Sequence, residues 1–294
     1  MIQVVKRWLG ACLLAVLLCA TGGTLAERYT LPLDDSGGML PEEGCFNGDE
    51  LYEDPTIRVS IDTGRMFSCE YWVADIVVFS GSQLRTAAAR GFDEFASMDG
   101  KRLAERVHAV LAVNGDFYLH TGSKYILRQG ILYADTLKGK RDILVIDEEG
   151  DFHPIHLAES GSVGEMVDGK KVANVLSFGP ILVENGKEVE IGEVGGIAAD
   201  EGRQRICIAQ AGPLHYKVIC CASHRGDSRG MTIRQFAELA ALQGVQVAYN
   251  LDGGDSTMFY FHGKKLNDRT KTAREICDIV YFASAWPELK GETE

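Results

Sequence analysis

One stretch near the C-terminus, residues 249–258, concentrates groups that could carry chemistry. It places Asn250 and Asp252 directly before the glycine pair Gly253 and Gly254. Amide and carboxylate oxygens suit a polar substrate or a cation, and adjacent glycines let the backbone turn sharply and approach a ligand closely. The stretch therefore indicates a binding or catalytic site, with an Asp-Gly hairpin turn as the alternative.

A second polar cluster follows an apolar run over residues 109–113. It consists of Asn114, Gly115 and Asp116. Polar groups at the end of a buried strand are typical of a site, but Asn-Gly is also a common hairpin turn. Both interpretations stay open from the residues alone.

Basic residues supply the opposite charge. Arg203 and Arg205 would leave the same face of an extended segment, where two guanidinium groups can hold a phosphate; a solvated edge strand is the alternative. A polar loop then contains His224, a candidate for moving protons, and Arg225, a candidate for binding the substrate. A single histidine in such a loop is more often a surface residue.

The elements that must position these groups follow from hydrophobic periodicity. Helices are predicted at residues 101–108 and after Thr232, which forms a capping box with Gln235. Strands are predicted at residues 57–61, 71–79, 109–113, 126–133, 143–146, 178–183, 203–210, 245–249 and 276–282. This succession favours an α+β fold, a single domain with one mixed, mostly antiparallel β-sheet and a few packed helices.

The N-terminus is typical of a secretory signal. Lys6 and Arg7 precede an apolar run over residues 8–20, and small residues end at Ala26. An uncleaved membrane anchor is the alternative. The predicted organisation is a signal peptide at residues 1–26 and an acidic linker or loosely packed lead-in at residues 27–56. A folded domain follows at residues 57–294, with a motif-bearing core at residues 106–283.

Charge and cysteine content narrow the possible partners. The net charge of -12 argues against nucleic acid, and it leaves the N-terminal signal or anchor as the only expected membrane contact. Six cysteines follow the signal: Cys45, Cys69, Cys207, Cys220, Cys221 and Cys277. An exported chain permits disulfides between them, and Cys207 and Cys220 could face each other across a hairpin.

The order of the motifs is more specific than any one of them. Residues 114–118 (NGDFY), 177–187, 203–205 (RQR), 230–232 (GMT), 250–254 (NLDGG) and 274–276 (REI) form a series. This series resembles the phosphodiester glycosidase family, which includes exported bacterial proteins described as exopolysaccharide-related. The resemblance covers roughly residues 106–283.

The resemblance implies hydrolysis of the bond between a sugar's anomeric carbon and a phosphodiester. The family's polar positions map to Asn114, Gly115, Arg205, Asn250, Asp252, Gly253, Gly254, Ser256 and Arg274. The leaving phosphate monoester is a weak base, so the site needs a carboxylate at the oxocarbenium-like centre and fixed positive charge more than a strong acid. Asp252 is the preferred carboxylate and Asp116 the second, while Arg205 and Arg274 would hold the phosphate.

Two alternatives use the same residues differently. Asp116, Asp252 and Asp255 could bind Ca²⁺ or Mg²⁺ in a metal-dependent phosphodiesterase, whereas the arginine mechanism requires no cofactor. A non-catalytic factor for binding or assembling phosphorylated exopolysaccharide is the other alternative. The expected partner is thus a sugar-1-phosphodiester or a phosphorylated polysaccharide. The expected location is secreted or associated with a bacterial cell envelope.

Overall fold

The computed structural model describes residues 29–120, 122, 124–138, 140–159, 161–192, 198–223, 227–267 and 274–287. The predicted signal segment lies outside these residues. Within them the chain forms two α-helices, α1 (Gly100–Arg106) and α2 (Ile233–Ala241). Neither of these helices is long and apolar enough to span a membrane.

Strands dominate the described part of the chain. In chain order they are β1 (Phe46–Asn47), β2 (Leu51–Glu53), β3 (Ile57–Met66), β4 (Cys69–Val78), β5 (Leu84–Ala88), β6 (Ala109–Asn114), β7 (Tyr125–Arg128), β8 (Ile131–Asp135), β9 (Arg141–Asp147), β10 (Phe152–Ala158), β11 (Met166–Val167), β12 (Lys170–Leu176), β13 (Ile181–Glu184), β14 (Lys187–Glu188), β15 (Arg205–Gly212), β16 (His215–Cys221), β17 (Val247–Asn250), β18 (Phe259–Phe261), β19 (Lys264–Lys265) and β20 (Asp278–Ala283).

The strands form three sheets. A nine-stranded sheet has the order β1-β2-β3-β4-β16-β15-β17-β13-β14, and a five-stranded sheet has the order β19-β18-β6-β20-β5. In the six-stranded sheet the order is β10-β9-β12-β7-β8, with β11 paired to β12. Every pairing among the described strands is antiparallel.

The antiparallel prediction is confirmed, and the α+β prediction with a few helices agrees roughly with a fold that is mainly β. The single predicted sheet needs correction, because the strands form three sheets. Hydrophobic alternation identifies a strand and its buried face without naming its partners, so strands assigned to one sheet divide among three. The predicted strand at residues 126–133 is likewise a hairpin, since Gln129 and Gly130 turn the chain with φ angles of 50° and 76° between β7 and β8.

The central strands of the nine-stranded sheet are apolar because they are buried. β15 lies between β16 and β17 in the nine-stranded sheet and is buried from Arg205 to Gln210. Helix α2 packs against β13 and β14 of the same sheet and buries its apolar face. The capping box is confirmed: Gln235 N–H donates to Thr232 Oγ1, and Thr232 N–H donates to Gln235 Oε1, at 3.2 and 3.0 Å.

The segment predicted as a loosely packed lead-in is packed where the structure describes it. Strands β1 and β2 extend the nine-stranded sheet. The fully buried guanidinium of Arg85 donates to the carbonyls of Pro32, Asp34 and Ser36 at 2.8 to 2.9 Å. A buried arginine needs such acceptors, so residues 32–36 are part of the folded unit.

The cysteine pairing suggested by the hairpin is wrong. Register on β15 and β16 places Cys207 opposite Ile219, and Cys220 opposite Ile206. Side chains of successive strand residues leave opposite faces, so Cys207 and Cys220 lie on opposite faces of the sheet. Free thiols are found at Cys45, Cys69, Cys207, Cys220, Cys221 and Cys277.

Candidate active site

A cavity of about 1000 Å³ opens where all three sheets meet. Phe117 follows β6, His156 lies on β10 and Arg205 begins β15, and all three line the cavity. This volume is typical of ligand-binding clefts. Its described basic lining residues are Lys140, Arg141, Arg203, Arg205 and Arg274, and its acidic ones are Asp142, Glu190, Asp252 and Asp255.

The turn after β17 delivers Asp252 to this cavity. The chain cannot carry a side chain at Gly253, because a Cβ there would lie 2.7 Å from the carbonyl oxygen of Gln204. Gly254 has a φ of 61°, in the left-handed region that favours glycine. The glycine pair thus lets the backbone pass against β15 and present Asp252 to the cavity.

The two hairpin alternatives are excluded by topology. The Asp252–Gly253 turn leads from β17 in the nine-stranded sheet to β18 in the five-stranded sheet. The Asn114–Gly115 turn leads from β6 in the five-stranded sheet to β7 in the six-stranded sheet. Because neither turn joins paired strands, both polar clusters are crossings between sheets.

These two crossings are tied to each other. Asn114 Nδ2 donates to the carbonyl of Asp252 at 2.7 Å, and its Oδ1 accepts from Met258 N–H at 3.0 Å. Asp252 N–H in turn donates to the carbonyl of Gly115 at 3.4 Å. Asn250 donates to the carbonyl of Gly179 at 2.8 Å. The two asparagines, both buried, therefore hold the backbone that carries Asp252.

Ser256 lies between Asp252 and a cation. Arg274 Nε and Nη2 donate to Ser256 Oγ at 3.1 and 2.7 Å, and the Ser256 hydroxyl lowers the pKa of the Asp252 carboxyl. The Arg274 Nη2 to Asp252 Oδ2 distance is 4.0 Å. Carboxylate, hydroxyl and guanidinium are thus juxtaposed at the cavity wall.

Burial sets the ionisation of Asp252. Its removal from water raises the pKa above the ordinary value, and the negative charge of Asp116 adds to this effect. The hydrogen bonds from Ser256 and Gly253 N–H and the charge of Arg274 oppose the rise. The balance leaves a carboxyl whose pKa is raised, the condition expected of a group that works near neutral pH.

Asp116 occupies a different environment from the one predicted for a second catalytic carboxylate. Its side chain is fully buried and lies 3.0 Å from Arg128 Nη2, which is also 3.5 Å from Asp278 Oδ2. Asp116 Oδ2 accepts from Ser177 N–H at 2.8 Å. Asp116 therefore belongs to a buried ion triad behind Asp252, and the described cavity lining does not include it.

The sequence interpretation missed Arg128 and Asp278. Each ends or begins a strand of otherwise apolar residues, and that isolated charge was the available signal. Burial and the charge of Asp116 raise the pKa of Asp278 to about 7, while Arg128 opposes the rise. Gly115 lies against this carboxyl, and a Cβ there would be 2.2 Å from Asp278 Oδ2. The buried triad therefore packs against the Asn114–Gly115 crossing and fixes its position.

Arg205 lines the cavity but is engaged elsewhere. Its Nε donates to the carbonyl of Met231 at 3.2 Å, and its Nη2 donates to those of Ala198 and Glu201 at 2.7 and 3.1 Å. Burial lowers its pKa. The neighbouring Arg203 also lines the cavity but is exposed and pairs with Glu201. Arg205 thus holds the cavity wall, whereas half of the Arg274 side chain is exposed.

The carboxylates proposed for a metal are not gathered into one cluster. Asp116 is paired with Arg128, and Asp255 is exposed. Among the residues that the structure describes, no group of three or more His, Cys, Asp or Glu side chains is arranged to hold a metal ion. His224 and Arg225 lie outside the described residues.

A histidine that the sequence interpretation passed over lines the cavity. His156 Nδ1 lies 3.5 Å from Asp142 Oδ1, and its Nε2 lies 3.3 Å from Glu184 Oε2. Backbone N–H groups of Leu157 and Ile181 fix the Asp142 carboxylate. His156 is thus an oriented, partly exposed imidazole at the cavity wall.

Comparison of folds identifies similar proteins of known structure. A hypothetical protein from Synechocystis is 14% identical, with a TM-score of 0.56 over 77% of this chain; this chain spans 62% of that protein. The catalytic domain of zebrafish N-acetylglucosamine-1-phosphodiester alpha-N-acetylglucosaminidase, auto-inhibited by its pro-peptide, is 15% identical. Its TM-score is 0.61, over 84% of this chain and 87% of that domain. At such identities the likeness shows a shared fold.

Sequence comparison identifies the family. No curated protein matches the chain. The model of the phosphodiester glycosidase family matches residues 108–283, which contain the Asn114–Gly115 crossing, the Asp252 turn and Arg274. The match covers more than half of the chain and agrees with the order of motifs in the sequence. This protein therefore belongs to the phosphodiester glycosidase family.

Proposed function

We propose that this protein is an exported hydrolase that cleaves the bond between the anomeric carbon of a sugar and the phosphate of a phosphodiester. The observation that carries the proposal is the juxtaposition of Asp252 with Arg274, whose Nη2 lies 4.0 Å from Asp252 Oδ2, in the wall of a cavity of about 1000 Å³. Family membership supports the same reaction class. The N-terminal sequence, with Lys6 and Arg7 before an apolar run, supports export.

Asp252 and Arg274 have complementary tasks. The Asp252 carboxylate stabilises or attacks the oxocarbenium-like centre, or activates water beside it. Arg274 neutralises the departing phosphate, whose low basicity makes a strong general acid unnecessary. Ser256 influences both groups, because it accepts hydrogen bonds from Arg274 and lowers the pKa of Asp252. The reaction breaks the anomeric C–O bond and adds water across it, which yields a free sugar and a phosphate monoester.

Local charge is more favourable to an anionic substrate than the charge of the whole protein. The net charge of -12 repels anions at long range. Among the described lining residues, five Lys and Arg side chains face four Asp and Glu side chains, so the cavity is less acidic than the protein as a whole. A single phosphodiester unit of a glycan or an envelope polymer fits this distribution better than a long polyanion lying across the surface. We propose a sugar-1-phosphodiester as the substrate class.

The test is hydrolysis of a panel of sugar-1-phosphodiesters that includes an α-N-acetylglucosaminyl diester. Sugar release by the mature wild type should fall by about 10²- to 10⁴-fold in Asp252→Asn, the range for loss of a catalytic carboxylate. Asp62→Asn, which removes an exposed carboxylate on β3, should keep wild-type activity. EDTA should leave release unchanged.

Two results would redirect the assignment. Loss of activity with EDTA and in Asp255→Asn would move the mechanism to a metal-dependent phosphodiesterase. No sugar release from any diester by a protein shown to be folded would contradict the hydrolase and favour a factor that binds phosphorylated exopolysaccharide.

A further inference from the structure

Phe117 has a backbone conformation that its side chain disfavours. Its φ is 58°, in the left-handed region where glycine and asparagine fit and a bulky residue is a genuine outlier. Such strain persists only where the surroundings impose it, and it clusters at functional sites. An aromatic residue is therefore expected at this position only if its side chain has a role that glycine could not perform.

The left-handed step separates two neighbouring side chains. Asp116 is anchored in the buried triad with Arg128 and accepts from Ser177 N–H. Phe117, the next residue, lines the cavity. The backbone of the crossing is thus fixed at Asp116, and the turn at Phe117 brings the aromatic ring to the cavity side.

The ring contacts the cation of the candidate site. The guanidinium carbon of Arg274 lies 5.0 Å from the centroid of the Phe117 ring, within the range of a cation–π interaction. Both hydrogen bonds to Ser256 use the Nε and Nη2 atoms of Arg274. Contacts to the ring and to Ser256 together restrict a long side chain that is otherwise half exposed.

We propose that Phe117 is a positioning residue that holds the Arg274 guanidinium for the phosphate of the substrate. The proposal rests on the proposed function in that it takes Arg274 as the phosphate-binding group. Phe117 itself needs no contact with the reacting atoms. Its contribution is to reduce the number of orientations that the Arg274 side chain can adopt in the free protein. Arg274 then loses less conformational freedom when the substrate phosphate binds.

The first experiment compares Phe117→Leu with Phe117→Tyr. Leucine keeps the apolar character and the strained backbone but removes the ring face, whereas tyrosine retains the face. We expect kcat/KM to fall about 2- to 30-fold in Phe117→Leu, the range for loss of one cation–π contact, and to stay near wild type in Phe117→Tyr. Equal kcat/KM values in wild type and Phe117→Leu, with both folded, would overturn the proposal.

The second experiment separates the ring from the strain. Phe117→Gly and Phe117→Ala both remove the ring, so both should lose activity to the same degree. Glycine alone relieves the left-handed strain, so Phe117→Gly should have a higher Tm than Phe117→Ala. Full activity in Phe117→Gly would overturn the role of the ring.

Phe67 offers a matched control. It is also a phenylalanine with positive φ, 50°, but it lies in the turn between β3 and β4 and outside the described cavity lining. Phe67→Gly should relieve the same kind of strain and leave kcat/KM unchanged. A loss of activity in Phe67→Gly equal to that in Phe117→Gly would contradict a local effect on Arg274.

A binding measurement distinguishes failure of this proposal from failure of the proposed function. If the wild type releases no sugar from any diester in the panel, the proposed function fails, and calorimetric titration with inorganic phosphate decides the role of Phe117. We then expect Phe117→Leu to bind phosphate about 2- to 30-fold more weakly than wild type and Phe117→Tyr to bind it equally. Equal affinities in wild type and Phe117→Leu, or no phosphate binding by the wild type, would overturn the proposal.

Discussion

Ser256 joins the anionic and cationic ends of the candidate site. Its hydroxyl lowers the pKa of Asp252, so Ser256→Ala should raise that pKa further. If the ionised form is the active one, activity is lost as the pH falls through that pKa. The acid limb of kcat/KM against pH should therefore move to higher pH in Ser256→Ala.

Ser228→Ala is the control for this shift. Ser228 is a buried serine that accepts from Glu70 N–H at 3.1 Å and does not line the cavity as described. Its loss should leave the acid limb in place. An unmoved acid limb in Ser256→Ala would separate Ser256 from the ionisation of Asp252.

The raised pKa of Asp278 predicts a pH dependence of stability. Its folded-state pKa is about 7, whereas an unfolded aspartate titrates near pH 4. Between these values the folded state retains a proton that the unfolded state releases, so this group's contribution to stability is lost as the pH rises from about 4 to 7. Asp278→Asn stays neutral and should flatten the dependence of Tm on pH.

Asp62→Asn provides the matched comparison, because Asp62 is exposed on β3. Its Tm should follow the wild-type pH dependence. If Asp278→Asn and Asp62→Asn gave the same slope between pH 5 and 8, Asp278 would not be the group responsible.

At the scale of residues, sequence reasoning reached the polar groups in or beside turns and missed the buried charges Arg128 and Asp278. Asp252 and its glycines stand out because turn residues depart from an apolar pattern. Arg128 and Asp278 sit at the ends of apolar strands, where a charge is ordinarily solvent-exposed. Only the packing of two sheets buries both and pairs them with Asp116.

Among the elements, β7 depends on the ion triad for its attachment to the site. Arg128 ends β7, donates to the carbonyl of Val175 on β12, and contacts carboxylates beyond β6 and on β20. Removing one partner from a buried ion cluster leaves uncompensated charge. Arg128→Met should lower the free energy of unfolding by about 3–5 kcal/mol, as measured by urea denaturation.

The control is Arg58→Met, because Arg58 is exposed on β3 and approaches Glu53 at 4.0 Å. Exposed pairs contribute about 0–1 kcal/mol, so this variant should be close to wild type. Adding Asp278→Asn to Arg128→Met should recover part of the loss, since it removes one of the two acidic groups that Arg128 contacts. A destabilisation of Arg128→Met no larger than that of Arg58→Met would contradict the structural role of the triad.

Local signals predicted individual elements better than the relations between them. The capping box at Thr232 and the buried face of α2 were readable because a helix repeats within a few residues. The hairpin interpretation of residues 252–253 failed because a turn motif carries no information about which sheet receives the next strand. Strand partners depend on packing across the whole chain, which periodicity does not encode.

For the whole molecule, the acidic N-terminal segment is a structural component. Arg85 loses three carbonyl acceptors if residues 32–36 are removed. Asp54 also accepts from Ile57 N–H at 3.0 Å and from Ser284 Oγ at 2.6 Å, close to the end of the described chain. A chain that begins at residue 57 should therefore lose about 3 kcal/mol or more of unfolding free energy relative to one that begins at residue 27.

Urea denaturation of the two chains tests this prediction. A separable linker would leave the midpoint unchanged, whereas a packed segment would lower it. Composition suggested a linker because acidic residues, glycine and proline are common in disordered segments. The burial of Tyr29, Leu31 and Tyr52 instead depends on apolar residues too sparsely spaced to form a recognisable pattern.

The position of β20 links the order of synthesis to the order of assembly. β20 is the last strand described, yet it lies inside the five-stranded sheet between β6 and β5, and Asn114 pairs with its residue Ile279. Pairings between distant segments form slowly because a long loop must close first. Until β20 has been synthesised, β6 therefore lacks one of its two neighbours and β5 lacks the strand with which it pairs. A nascent or C-terminally truncated chain consequently exposes open strand edges and has no completed site.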